Sequence, residues 1–373
     1  MRILIVPDSF KGSLSSIQAA NAIAEGIKDL QFEIEKVPMA DGGEGTVDSL
    51  ISAGLGTRMR NFVTDPIGRK IQAEFGILKD NKTAIIEMAS ASGLLLISEE
   101  KRNPLYTTTY GTGEQIRKVI ELGFTRIILG LGGSATTDCG AGALQALGVK
   151  LLDKNGKNIK AGGLHLKDLQ KIDTSTLNKY GDIDLTLMCD VSNKLLGING
   201  AAKVYSQQKG ASRNEVQILE NNLEHFTRIV KRDTGIDIAK LAGSGAAGGL
   251  SAGLSIIFNS HFVSGSDFVI NTTNLRAKIQ NADIIITGEG ELSSQTKFGK
   301  IPYKIAKIAK EYNKTIIGVF GNIIQEVKKE YLQEFPYMSA LCEKGISKEK
   351  AMQNAYSLLS GKVKKIFEEL QLN

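Results

Sequence analysis

Short β-branched apolar runs alternate along this chain with stretches whose apolar residues recur every three or four positions. Residues 3–6 form the first run, and a polar loop over 7–14 leads into helical spacing over about 15–28. A run of that kind reads as a buried strand, and the spacing behind it as the helix that covers the strand. Residues 34–37 predict a second strand, with a second helix starting near Glu44. The far end repeats the alternation: strands over 284–286, 315–319 and 336–341, a helix over 302–312, and a broken helical pattern over 349–370. Two such units alone would leave a narrow sheet with exposed edges. Joining residues 1–60 to 283–373 gives about five βα units, enough for a doubly wound α/β domain, with residues 61–282 inserted as a second α/β domain. Within the insert, 83–88 and 127–131 read as strands, 185–189 as a buried strand, 155–157 as a turn and 213–232 as a charged surface helix.

A chain of 373 residues suits two domains. Its 40 glycines are bunched rather than periodic, which points to backbone geometry serving a ligand. The three cysteines, Cys139, Cys189 and Cys342, lie far apart and show neither metal-ligand spacing nor a paired framework. His165, His225 and His261 show no metal spacing either, and no G-x-S-x-G elbow occurs. The first apolar run is far too short for a signal peptide, and no stretch nears the ~20 apolar residues that cross a bilayer, so a cytoplasmic setting is expected. The net charge of +6 comes from lysines interspersed with glutamates. It serves solubility and draws in small anions, while the absence of a basic run with interleaved aromatics argues against nucleic acid.

Five loops carry the candidate chemistry. Pro7 to Ser13 holds Asp8 and Lys11; Ala40 to Thr46 holds Asp41 and Glu44; Thr287 to Glu291 holds Glu289. Each follows a predicted strand, where a doubly wound sheet binds small ligands. The other two are glycine clusters, one with Gly132, Gly133 and Ser134, the other with Gly245, Gly248 and Gly249. Consecutive small residues ahead of a helix let backbone N–H groups converge on an anion. Neither cluster is a Walker A sequence or a dinucleotide fingerprint. Taken singly, each loop also fits a tight turn or a helix cap; together they fit phosphoryl transfer. That reaction needs one or two carboxylates to hold Mg²⁺, a group on the attacking hydroxyl, and cations on the phosphates. Asp190, closing the strand 185–189, is the candidate for the hydroxyl. Asp41, Glu44 and Glu289 are candidates for the metal. Lys11, Lys209 and Lys297 supply positive charge, with Lys11 and Asp8 placed among the catalytic residues.

The same stretches resemble the bacterial glycerate kinases of the two-domain type. The likeness runs in order through Pro7-Asp8-Ser9-Phe10-Lys11, Asp41-Gly42-Gly43-Glu44-Gly45-Thr46, Asp65-Pro66-Ile67-Gly68, Gly132-Gly133-Ser134-Ala135-Thr136-Thr137-Asp138, Cys189-Asp190-Val191, Gln208-Lys209-Gly210-Ala211, Gly245-Ala246-Ala247-Gly248-Gly249 and Thr287-Gly288-Glu289-Gly290. The resemblance implies ATP and D-glycerate as substrates, Mg²⁺ as cofactor, a flavodoxin-like domain built from both chain ends with an inserted α/β domain, and an active site in the cleft between the two. The chain departs from the family pattern at Glu291 and Ser293, where a basic residue and an aspartate are usual, and at Gln207, where a proline is typical. A kinase for another small hydroxy acid or polyol stays open on that ground, as does a non-catalytic nucleotide or sugar-acid binder. Neither the phosphorylated hydroxyl nor the oligomeric state follows from the sequence.

Overall fold

The computed structural model describes residues 1–173, 175, 180–343 and 345–370. Its described strands, in chain order, are β1 (Arg2–Pro7), β2 (Glu33–Lys36), β3 (Gly56–Thr64), β4 (Lys70–Leu78), β5 (Thr83–Glu87), β6 (Arg126–Gly130), β7 (Lys150–Leu152), β8 (Lys171–Asp173), β9 (Asp184–Met188), β10 (Asn259–Val263), β11 (Ile284–Leu292), β12 (Thr315–Ile323) and β13 (Tyr337–Ala340). The chain divides into two compact units, one of Met1–Asp41, Asp48–Leu55 and Ser266–Asn373, the other of Gly42–Val47 and Gly56–Gly265.

The first unit is built on a five-stranded sheet in the order β13-β12-β11-β1-β2, parallel throughout. Alternation along β1 decides what covers each face, because successive side chains point to opposite sides. Leu4 and Val6 pack with Val269, Ile270, Leu275, Ile279 and Ile305. Ile3 and Ile5 pack with Ala19, Ile23, Leu359, Val363 and Phe367. Helix Ser16–Gly26 starts at a capping box, with Ser15 accepting from the Gln18 amide and Gln18 reaching back to the Ser15 amide. It lies against helix Ala355–Glu369 at Gly26, where a Cβ would run into the Ser360 carbonyl.

One expectation is corrected here. Residues 287–291 are not a loop after a short strand but the continuation of β11, with Glu289 opposite Phe320 and Glu291 opposite Asn322. The polar glycine-rich composition hides the strand. Extension is imposed by pairing with an equally long β12, and Gly321 allows the close approach of Gly290.

The second unit carries a six-stranded sheet, β10-β9-β6-β5-β4-β3, and the small antiparallel pair β7-β8. β10, β9, β6 and β5 run parallel, while β4 and β3 are antiparallel. Helix Arg213–Thr234 is charged outside, but Leu219, Leu223, Phe226 and Val230 form a buried stripe at helical spacing. Ser212 and Glu215 cap its start and Gly235 ends it in the left-handed region.

Candidate active site

In the first unit, the carboxyl ends of the parallel strands gather acidic residues. The Asp8 amide donates to the Gly288 carbonyl at 2.9 Å, which sets Asp8 beside the strand position of Glu289. The Met39 amide reaches the Pro7 carbonyl at 2.9 Å and leads the chain on to Asp41. Burial, then the Asp41 charge, push the Asp8 carboxyl up to about 7; Glu289 adds to this, while the Ser9 amide and Lys11 oppose it. Asp8 therefore lies within electrostatic reach of Lys11, Asp41 and Glu289, and Glu289 within reach of Lys11. Glu289 is buried. Its carboxyl is raised by that burial and pulled back by Lys300, whose Nζ lies 2.8 Å away, and by the Thr296 hydroxyl at 2.9 Å.

Lys300 and Thr296 were missed by the sequence reading. A lysine eleven residues beyond Glu289 gave one usable signal, its place just before the helix Ile301–Glu311. The candidate Lys297 instead lies 3.4 Å from Glu330 at the surface. The departures from the family pattern are locally engaged: Glu291 Oε2 accepts from the side-chain Nδ2 of Asn322 at 3.2 Å, and Ser293 takes part in the turn at Thr296.

In the second unit, the glycine clusters and Lys209 share one sheet edge. The loop after β6 meets the segment Gly42–Val47: the Gly132 amide donates to the Gly42 carbonyl at 3.2 Å, and a Cβ at Gly132 would strike Gly43. Glu87, at the end of β5, holds that segment by accepting from the Gly45 and Val47 amides. It too was unassigned from sequence. Glu44 belongs to this unit rather than to the acidic set, and a Cβ on Gly133 would lie 3.1 Å from its Oε1.

Lys209 is buried, and its Nζ donates to Ser134 Oγ at 2.8 Å and to the Thr136 carbonyl at 2.7 Å. Burial lowers its ammonium to about 7, with Asp138 opposing. The second glycine cluster packs on the first. The Gly248 carbonyl accepts from the Cys139 amide, and Gly245 donates to Asn193. Ala247, Gly248 and Gly249 are successively left-handed, a turn of backbone amides suited to an anion. Thr136 Oγ1 is buried among these loops without a hydrogen-bond partner. Asp190 lies two residues beyond the end of β9, on the edge where Met188 adjoins Gly42.

The largely parallel sheets of the two units, with their helices, define an α/β protein. Over residues 3–371 the chain matches the glycerate kinase family, and it belongs to that family. It is by that membership an ATP-dependent phosphotransferase. It is 43% identical to the glycerate kinase of Halalkalibacterium halodurans over 96% of this chain and 95% of that one. It is 45% identical to the glycerate 2-kinase of Escherichia coli K12 over 88% of this chain and 87% of that one. A crystal structure from Salmonella typhimurium LT2, of a protein provisionally named glycerate kinase 2, superposes with a TM-score of 0.81 at 38% identity, covering 100% of this chain and 98% of that one. No described helix is long and apolar enough to cross a membrane.

Proposed function

We propose that this protein transfers the γ-phosphoryl group of ATP to the 2-hydroxyl of D-glycerate. Family membership along the whole chain carries the reading, and the similarity to a glycerate 2-kinase favours the 2-hydroxyl. The first unit is read as flavodoxin-like, since its strands, counted within the unit, run 2-1-3-4-5. A cytoplasmic setting fits three free cysteines.

Gly132, Gly133, Ser134, Lys209 and the turn at Gly245, Gly248 and Gly249 hold the polyphosphate. Lys11 pairs with an anion of the acceptor or of the transferring group. Asp190 orients or deprotonates the acceptor hydroxyl, a contribution that positioning and electrostatics outweigh in this chemistry.

The acidic set fits a divalent cation, because Asp8, raised first by burial and then by the neighbouring Asp41 charge, is a carboxyl that a bound cation would keep ionised. Glu289 fits less well, being engaged by Lys300 and Thr296, and Glu44 lies in the other unit. Among the described residues no group of three or more acidic, histidine or cysteine side chains could hold a metal alone. Mg²⁺ needs only one or two carboxylates when phosphates complete its shell. Asp8 and Asp41 would hold Mg²⁺, whose positive charge would supply neutralisation of phosphate oxygens.

The test is ADP release with D-glycerate and a panel of small hydroxy acids and polyols, with phosphorus NMR of the product. 2-Phosphoglycerate is expected. Turnover of another acceptor but not glycerate would favour the alternative kinase suggested by Glu291 and Ser293, and tight ATP binding without turnover would favour a binding protein.

A further inference from the structure

The segment 189–200, between β9 and the helix Ala201–Tyr205, has no regular structure, yet its middle is seated on the second glycine cluster. The Gly245 amide donates to the Asn193 carbonyl at 2.9 Å, and the Leu195 amide donates to the buried Ser244 Oγ at 3.0 Å. A Cβ on Gly245 would run into the Lys194 carbonyl, and one on Gly249 would lie 2.7 Å from Cδ1 of the buried Leu195. The Asn193 side chain braces this segment. Its Oδ1 accepts from the Tyr205 hydroxyl at 2.7 Å, and its Nδ2 donates to the Asn199 carbonyl at 2.8 Å. Asparagine carries an acceptor and a donor on one short side chain, so it can bridge a hydroxyl and a carbonyl at once. Asn193 is only half-buried, and hydrogen bonds that water can replace add little to folding stability. What the brace does is fix a place.

We infer that Asn193 is a positioning residue for phosphoryl transfer, acting through Asp190. Asp190 stands three residues before it, so their Cα atoms are at most about 11 Å apart even along an extended chain. The Asn193 backbone meets the anion turn at Gly245, while its side chain ties the same point to Tyr205 and Asn199. The group that acts on the acceptor hydroxyl and the turn that holds the phosphates are thus joined through one braced residue. Phosphoryl transfer is governed by placement, and a displacement of about 1 Å can cost roughly 10²-fold in rate. The inference rests on the roles proposed above for Asp190 and for the turn at Gly245, Gly248 and Gly249.

The experiment measures kcat as ADP release at saturating ATP and acceptor, with thermal unfolding alongside. Asn193→Ala keeps the backbone carbonyl and loses both side-chain bonds. It should lower kcat about tenfold while lowering Tm by no more than about 5 °C. In an Asp190→Asn background the same change should cost less than about threefold, because the residue it places is already disabled. An equal loss in both backgrounds, the mark of a merely structural brace, would overturn the inference. So would a kcat for Asn193→Ala within about threefold of wild type while Asp190→Asn is impaired. Wild-type kcat in Asp190→Asn alone would remove Asp190 from the reaction, and the inference with it. If Asn193→Ala does not fold, Tyr205→Phe, which removes one hydroxyl and leaves the bond to Asn199, is measured in the same two backgrounds. A loss confined to the background that keeps Asp190 supports the coupling, and equal losses or none overturn it.

Discussion

Gly248→Ala probes whether the glycine clusters serve close packing, ligand binding or both. Gly248 has φ +67, and a Cβ there would overlap the Thr136 carbonyl oxygen and lie 2.7 Å from Thr137 Cα. The left-handed backbone costs alanine roughly 1 kcal/mol. Forcing two backbone segments apart adds about 1–3 kcal/mol. The total of about 2–4 kcal/mol should lower Tm by roughly 5–15 °C in a unit of this size. Binding should weaken as well, because the segment that must move carries the carbonyl that receives Lys209 Nζ. A disturbed charged hydrogen bond, worth about 1.5–3 kcal/mol, corresponds to roughly 10- to 150-fold in ATP affinity. Gly133→Ala is the control. Its φ is +75, but a Cβ would meet only side-chain atoms of Ala89 and Glu44 at 3.1 Å, so a stability loss of about 1 kcal/mol is expected. Thermal unfolding and calorimetric titration with an ATP analogue measure both quantities. A Gly248→Ala protein with Tm within 2 °C of wild type would refute the steric reasoning, and a lowered Tm with unchanged affinity would confine Gly248 to packing.

Lys11→Met should reduce kcat/KM roughly 10²-fold, about 3 kcal/mol of transition-state stabilisation, with folding preserved because Lys11 is exposed; a loss below threefold would remove it from the reaction. Asp190→Asn should lower kcat without changing the Mg²⁺ dependence, whereas Asp41→Asn should raise the Mg²⁺ concentration giving half-maximal rate; a metal signature in Asp190→Asn would reverse those assignments. The Asp8 carboxyl, raised to about 7, binds its proton more tightly folded than unfolded. Its contribution is therefore favourable at low pH and is lost as pH rises from about 4 through 7. Without divalent metal, Asp8→Asn should be more stable than wild type at pH 8 by about 1–3 kcal/mol, reduced from the full shift because the side chain keeps partial solvent access, with the gain vanishing near pH 4. Denaturant unfolding at the two pH values checks this, and an equal difference at both would refute it.

Local chemistry made the regular elements legible from the residues alone. The apolar run at 3–6 lies in β1, and the helix expected over 213–232 spans Arg213–Thr234. Their hydrophobic periods and caps are properties of neighbouring residues, which the sequence displays directly. The approach of Asp8 and Asp41 was also foreseeable, because residues following parallel strands share one edge of a sheet, whereas Glu289 comes to Asp8 from within β11. Tertiary structure alone decided the rest. Residues 287–291 are extended because β12 supplies hydrogen bonds along their whole length, against a composition that reads as loop. Lys300 rather than Lys297 reaches Glu289 because Lys300 directly precedes a helix that packs on the sheet. Lys209 and Asp138 acquire their character from enclosure, which depends on residues far away in sequence such as Thr109. Period and capping are written between neighbours along the chain, whereas burial, charge proximity and the pairing of a polar strand arise only when distant segments meet.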